Sequence, residues 1–164
     1  MKLSNKIYSI SIILIAIILV SACSKKPDIE YTSTYKMAGE WFTRYYQNNA
    51  AVTPFHKIMS YNVSDPAAAQ VWVDDLGQWP FVAKFDVDIA SLAFKAMSNV
   101  SNANTASPAK TLKVLEGKVL PGAGHTKTGV VVDSIYIRME FSDDPGEIYE
   151  IRGHQRTGFF EDEY

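Results

Sequence analysis

The sequence predicts an all-β domain, an antiparallel up-and-down β-barrel of about eight short strands. Three observations point to it. Within residues 131–159, Ile135, Ile137, Met139 and Phe141 alternate with Ser134, Tyr136, Arg138 and Glu140, the period-two pattern of a strand with one face buried. Phe81, Ala83, Phe85, Val87 and Ile89 alternate in the same way with Val82, Lys84, Asp86 and Asp88. No segment after residue 36 carries an apolar stripe at helical spacing over a useful length. Short strands in a meander present exposed edges, and closing the sheet into a barrel removes them.

Taken in order, residues 1–22 read as a signal peptide, with Lys2 and Lys6 ahead of an unbroken apolar run over residues 12–20 that is short for a membrane span. The run ends in Leu19-Val20-Ser21-Ala22-Cys23, and Cys23 is the only cysteine. This resembles the bacterial lipobox, which implies a diacylglyceryl group on the Cys23 thiol and cleavage before it. Thiolate chemistry explains the need for cysteine there. One acyl chain holds a protein only marginally, whereas two or three hold it permanently. The expectation is therefore a protein of the bacterial cell envelope, lipid-anchored to the outer membrane through acylated Cys23. With no second cysteine there is no disulfide, so the core must hold the fold. Removing Lys2 and Lys6 from the 16 basic residues leaves 14 against 18 acids, a formal charge of −4. That balance argues against nucleic acid, which is gripped through clustered Lys and Arg.

Residues 23–36 are polar, contain Pro27 and show no sustained period, which suits a lipid-anchored linker. The barrel domain is expected over residues 37–164. Its first strand, residues 37–47, is opened by Gly39 and puts Trp41, Thr43 and Tyr45 on one face. Residues 55–63 form a second strand, and Asp65-Pro66-Ala67-Ala68-Ala69 a short helical turn capped by Ser64. Strands over 71–75 and 81–89 follow, separated by Gly77 and Pro80, then one over 92–97. The small polar residues 98–110 read as the main loop. A strand over 111–120 leads to a turn at 121–125. The last two strands form a hairpin, reversed at Ser142-Asp143-Asp144-Pro145-Gly146-Glu147, where Pro presets φ and Gly takes the positive value. On the return arm Tyr149 and Ile151 continue the apolar face with Gly153, Gln155 and Thr157 in phase, while Glu150, Arg152, His154 and Arg156 point the other way.

Gly39-Glu40-Trp41, with Arg152 or Arg156 near the other end of the chain, resembles the Gly-x-Trp and terminal arginine of the calycins, the lipocalin-like barrels. The resemblance implies that the indole closes the barrel floor and that a guanidinium stacks on it, a contact of about 0.5 to 2 kcal/mol. AGEWF, SYNVSDPAAAQVWVDDLGQWPF, DSIYIRMEFSDDPGEIYEI and GHQRTGFFEDE together resemble the lipid-binding putative hydrolase family of Bacteroides-type lipoproteins. This implies a calycin-like barrel on a lipid anchor. The family's name offers lipid binding and hydrolysis as activities.

A hydrolase needs a nucleophile, a base and an orienting acid. Ser134, His154 and Asp133 supply those types within one hairpin, with His56, His125, Asp74 and Asp75 as further candidates. Adjacent strand residues face opposite ways, however, so Asp133 and Ser134 share a pocket only across a bulge. No Gly-x-Ser-x-Gly elbow is present. His56, His125 and His154 lack local zinc-ligand spacing, and Asp74-Asp75, Asp86-x-Asp88 and Asp143-Asp144 do not resemble a calcium loop, so no metal and no cofactor are expected. Arg152, His154 and Arg156 read as an outer row pairing with Glu140, Glu150 or the Glu161-Asp162-Glu163 tail. Trp41, Phe81, Phe85, Ile135, Ile137, Met139, Tyr149 and Ile151 form an inner face that either lines a ligand cavity or fills the barrel, since barrels of this size do both. The expected function is binding of a small hydrophobic or lipid-like ligand. The alternatives are an esterase-like hydrolase acting through a Ser/His site and an envelope accessory protein that docks on a protein partner.

Overall fold

In the computed structural model, residues 30–164 are described; the expected signal peptide and Cys23 lie outside them. A 3₁₀ turn, Tyr35–Met37, leads into β1 (Gly39–Gln47). There follow β2 (Ala50–Ala51), β3 (His56–Asn62), β4 (Gln70–Asp75), β5 (Val82–Asp88), β6 (Ala93–Phe94), β7 (Met97–Ser101), β8 (Thr111–His125), β9 (Val131–Phe141) and β10 (Tyr149–Gln155), with a second 3₁₀ turn at Phe160–Asp162. The order β1-β3-β4-β5-β6-β8-β9-β10 closes on itself because β10 pairs with β1, all neighbours being antiparallel. This is a closed antiparallel barrel of eight staves, with β6 and β7 sharing one and β2 a short spur on β1.

Period two decides what faces inward. Trp41 and Tyr45 on β1, Ile58 on β3, Val71 and Val73 on β4, Ala83, Phe85 and Val87 on β5, and Ile135, Ile137, Met139 and Phe141 on β9 all fall on one phase and are buried. They join one continuous core cluster with Phe81, Leu112, Tyr149 and Ile151. Each such aliphatic or aromatic side chain contributes about 1.5 to 3 kcal/mol on burial, so this inner face is the dominant stabilising element. Closure requires β1 and β10 to approach closely where Thr43 faces Gly153. A Cβ on Gly153 would stand 2.1 Å from the Phe42 carbonyl oxygen, so a residue without one is needed at that seam.

The antiparallel order gives the barrel two ends. At the entry end β1 begins, β3 and β10 finish, and the β8–β9 hairpin turns. There Met37 is buried against the floor, and its carbonyl accepts the Ser60 hydroxyl at 2.6 Å while Ser60 Oγ accepts the Trp41 indole N–H at 2.8 Å. The far end carries the β4–β5 and β9–β10 connections.

Four local expectations change. The strand expected over 92–97 is divided into β6 and β7, and β7 takes the first residues of the expected loop. Asn102 makes this possible: its side chain accepts the Val82 N–H at 2.9 Å and donates to the Ala109 carbonyl at 2.8 Å, doing between β5 and the loop what a backbone ladder does elsewhere. Residues 121–125 are not a turn but the end of β8, which continues through a bulge where Asp133 Oδ1 accepts the Gly122 N–H at 2.9 Å. The reversal falls at residues 126–130 instead, where Thr126 N–H and Val130 carbonyl close the turn. Residues 65–69 form no helix; the Asp65 carboxylate accepts the Ala67 N–H, a local turn that competes with helix.

Candidate functional site

The far mouth holds a cluster of polar groups on the inward phase, Thr43, His56 and Asp75, apart from the Ser60 hydroxyl at the entry end. Thr43 and His56 are cross-strand partners on β1 and β3, and Asp75 ends β4 on the same inward phase as Val71 and Val73. Tyr45, two residues beyond Thr43, reaches across β3 to donate its hydroxyl to Asp75 Oδ2 at 2.5 Å. Its ring stacks on His56, with centroids 5.3 Å apart and planes 5° from parallel. His56 Nε2 lies 3.3 Å from Thr43 Oγ1 and 3.8 Å from Asp75 Oδ2.

A buried carboxylate needs several partners, and Asp75 has them. Its Oδ1 accepts the N–H groups of Gly77 and Gln78 at 3.1 and 2.9 Å, and its Oδ2 accepts that of Trp79 at 3.1 Å. The β4–β5 connection is thereby folded back over the mouth. Trp79 lies flat on Phe141, 4.5 Å away at 4°, and tilted on Tyr149 at 4.6 Å, forming an aromatic cap. Burial pushes the Tyr45 hydroxyl well above its ordinary pKa, and the adjacent Asp75 charge adds to this. Tyr149, whose hydroxyl donates to Asp144 at 2.6 Å, is pushed up to about 12, first by burial and then by that hydrogen bond.

Of the residues singled out from sequence, His56 and Asp75 are brought together here. The eight inner-face residues Trp41, Phe81, Phe85, Ile135, Ile137, Met139, Tyr149 and Ile151 are all buried in the one cluster. Ser134 and His154 are cross-strand partners on the outer wall, yet Ser134 Oγ donates to the Gly153 carbonyl at 2.8 Å. The ring nitrogens of His154 face the Gln155 carbonyl and the Tyr164 hydroxyl, and Asp133 is engaged with Gly122. The three are thus not joined as a relay. The far-mouth cluster lacks the relay form as well, because Thr43 and Asp75 both face the same nitrogen of His56. His125 pairs with Val131 at the tip of β8, and Asp74 faces outward on β4, its carboxyl raised by burial and by Asp75. Among the described residues no group of three His, Cys, Asp or Glu side chains is placed to hold a metal.

The expected guanidinium on the indole is not where the arginines go. Arg152 and Arg156 occupy the outward phase while Trp41 faces inward. Arg152 pairs with Glu150 and covers the Tyr46 ring at 4.8 Å, and Arg156 ties Glu40 at 2.6 Å to Glu163 at 2.5 Å. Trp41 is held by Ser60 instead.

Thr43 and Tyr45 were placed on the inner face by the alternation of the first strand, but nothing local marks their partners. Nothing in the sequence marks Trp79 or Phe141 as site residues. The readable signal was Asp75 itself, a carboxylate on the apolar phase of a strand.

No curated protein matches the chain. The family described as lipid-binding putative hydrolase matches residues 26–160, which covers the barrel from its first strand to its last. The chain belongs to the lipid-binding putative hydrolase family.

Proposed function

We propose that this chain is a lipid-anchored protein of the bacterial cell envelope, tethered to the outer membrane through acylated Cys23, that binds a small hydrophobic or lipid-like molecule in its barrel. The observation that carries the reading is a family described as lipid-binding coinciding with a closed barrel whose inner face is largely apolar and whose buried carboxylate lies at a capped mouth. An amphiphile fits that division. Its polar head meets Thr43, His56 and Asp75, and its chain replaces side-chain contacts among Phe81, Phe85, Ile135, Ile137, Met139 and Ile151. Each methylene moved out of water contributes about 0.8 kcal/mol. The inner side chains form one continuous buried cluster, so entry requires one of them to yield. Trp79 is the candidate: it stands on a loop rather than on a strand, and the backbone of that loop is tied down chiefly through N–H groups donated to the Asp75 carboxylate.

Native mass spectrometry of residues 24–164 after incubation with bacterial envelope lipid extract tests this. The expected result is a one-to-one adduct of lipid mass; an unadducted protein at saturating lipid would refute it. The intact mass of the protein recovered from membranes tests the anchor separately, with the expected addition falling on Cys23.

A further inference from the structure

Several large apolar side chains at the entry end remain in solvent. Phe160 is 88% exposed, Phe159 63%, Tyr31 64%, Val131 61% and Val130 45%. They are not scattered. The Arg156 N–H donates to the Glu40 carbonyl, which carries β10's pairing one step past its end and sets the tail beside the start of β1. Asp162 Oδ1 then accepts both the N–H and the hydroxyl of Thr128, at 3.0 and 2.7 Å, and Lys127 Nζ donates to the Glu163 carbonyl. The phenylalanine pair and the β8–β9 tip bearing Val130 and Val131 are therefore bound to each other. With the Asp162 carboxylate accepting the hydroxyls of both Thr128 and Thr157, these rings are displayed rather than left loose.

Beside them is a cleft of about 360 Å³ lined by Tyr35, Lys36, Ala38, Pro121, Asp133 and Gln155. It carries one cation and one anion, and neither Lys36 nor Asp133 is in an ion pair among the described residues. A ligand matching that pair carries both signs itself, as a phosphate joined to an ammonium does.

The chain entering this end supplies the third observation. Seven steps separate Cys23 from Glu30, the first described residue, and seven residues reach at most about 25 Å. Strand β5 alone, at seven residues, is about 23 Å long. Even allowing for the tilt of barrel strands, setting the far mouth on the bilayer would use up most of the tether's reach in running back along the wall.

We propose that the entry end is a membrane-docking face, in which Phe159, Phe160, Val130 and Val131 enter the interface of the bilayer and the Lys36–Asp133 cleft takes the headgroup of a zwitterionic, amine-bearing phospholipid. This rests on the reading that Cys23 is acylated. The far mouth with Trp79 then points away from the membrane.

The test uses the acylated full-length protein in phosphatidylethanolamine-containing vesicles whose acyl chains carry bromine. Because Cys23 is the sole cysteine and its thiol is consumed by acylation, Phe160→Cys and Leu76→Cys each offer one site for a bimane label; both positions are exposed, so neither change threatens the fold. Emission from the label at 160 is expected to fall by about twofold relative to unbrominated vesicles while that at 76 is unchanged. Equal emission at both sites, or a fall at 76 alone, overturns the proposal. Vesicles in which phosphatidylglycerol replaces phosphatidylethanolamine should show a smaller fall at 160, and equal falls overturn the headgroup assignment. The intact mass of the same samples separates the two readings: an acyl group on Cys23 with no fall at 160 sinks the docking face and leaves the anchor, whereas an unmodified Cys23 sinks both.

Discussion

The Tyr45 hydroxyl is bonded to Asp75 Oδ2 at 2.5 Å, joining β1 to β4 across the intervening β3 inside the far mouth. The same carboxylate holds the Trp79 loop, so one buried group fixes both the wall and the cap. Replacing Asp75 by Asn keeps the shape but removes acceptor capacity where a hydroxyl and three N–H groups converge. Asp75→Asn should cost about 2 to 3 kcal/mol in urea unfolding and shift Trp79 emission to the red, while Tyr45→Phe should cost about 1 to 2 kcal/mol. An Asp75→Asn protein with unaltered stability and emission would show that the carboxylate does not fix the cap.

At the opposite end Ser60 stands between Trp41 Nε1 and the Met37 carbonyl. Ser60→Ala leaves both buried and unpaired, and a loss of about 2 to 3 kcal/mol is expected in equilibrium denaturation. Phe160→Ser, on the exposed surface, should change stability by less than about 0.5 kcal/mol.

The β1–β10 seam depends on Gly153, where an added Cβ meets backbone atoms on β1 rather than a side chain able to swing away. Gly153→Ala should destabilise by about 3 kcal/mol or more, seen as loss of soluble protein or a collapse of the thermal transition. Gly77→Ala is the control, since nothing lies within 4 Å of its added Cβ.

Tyr149 binds its proton more tightly in the folded protein than at its ordinary value of 10.0. Its contribution to stability is thus complete below pH 10 and lost as pH rises through about 12. In tyrosinate absorbance titrations, Tyr149→Phe should remove one late step, and Asp144→Asn should move that step part of the way back toward 10. An unchanged titration in both variants would contradict the Asp144 assignment.

Much of this fold was legible because period two survives wherever a strand has one wet face. Residues 81–89 and 131–155 show it, and their inner residues are the core. What was not legible depends on pairs far apart in the chain. Asn102 substitutes for a strand's backbone, which let residues 97–101 pair with β8 inside a run of small polar residues. The bulge at residues 121–123 keeps β8 going through a Pro-Gly sequence because Asp133, on the neighbouring strand, holds the Gly122 N–H. At the candidate site, Tyr45 and His56 were visible as an inner-face aromatic and a histidine, but their meeting at Asp75 follows from register alone. The cap was hidden for a related reason: Trp79 sits in a Gly-Gln-Trp-Pro loop, and it is turned over the mouth by the Asp75 carboxylate and by rings from β9 and β10 that lie far along the chain.

An acyl chain bound in the barrel would lie close to Trp41, which is inside, and to Trp79, which caps the mouth, so energy transfer from tryptophan to a conjugated polyene fatty acid, cis-parinaric acid, reports its presence. Titrating residues 24–164 should give saturable transfer at one probe per protein, displaced by envelope lipid and accelerated in Trp79→Ala. Transfer that never saturates, or that survives an excess of competing lipid, would contradict an interior site.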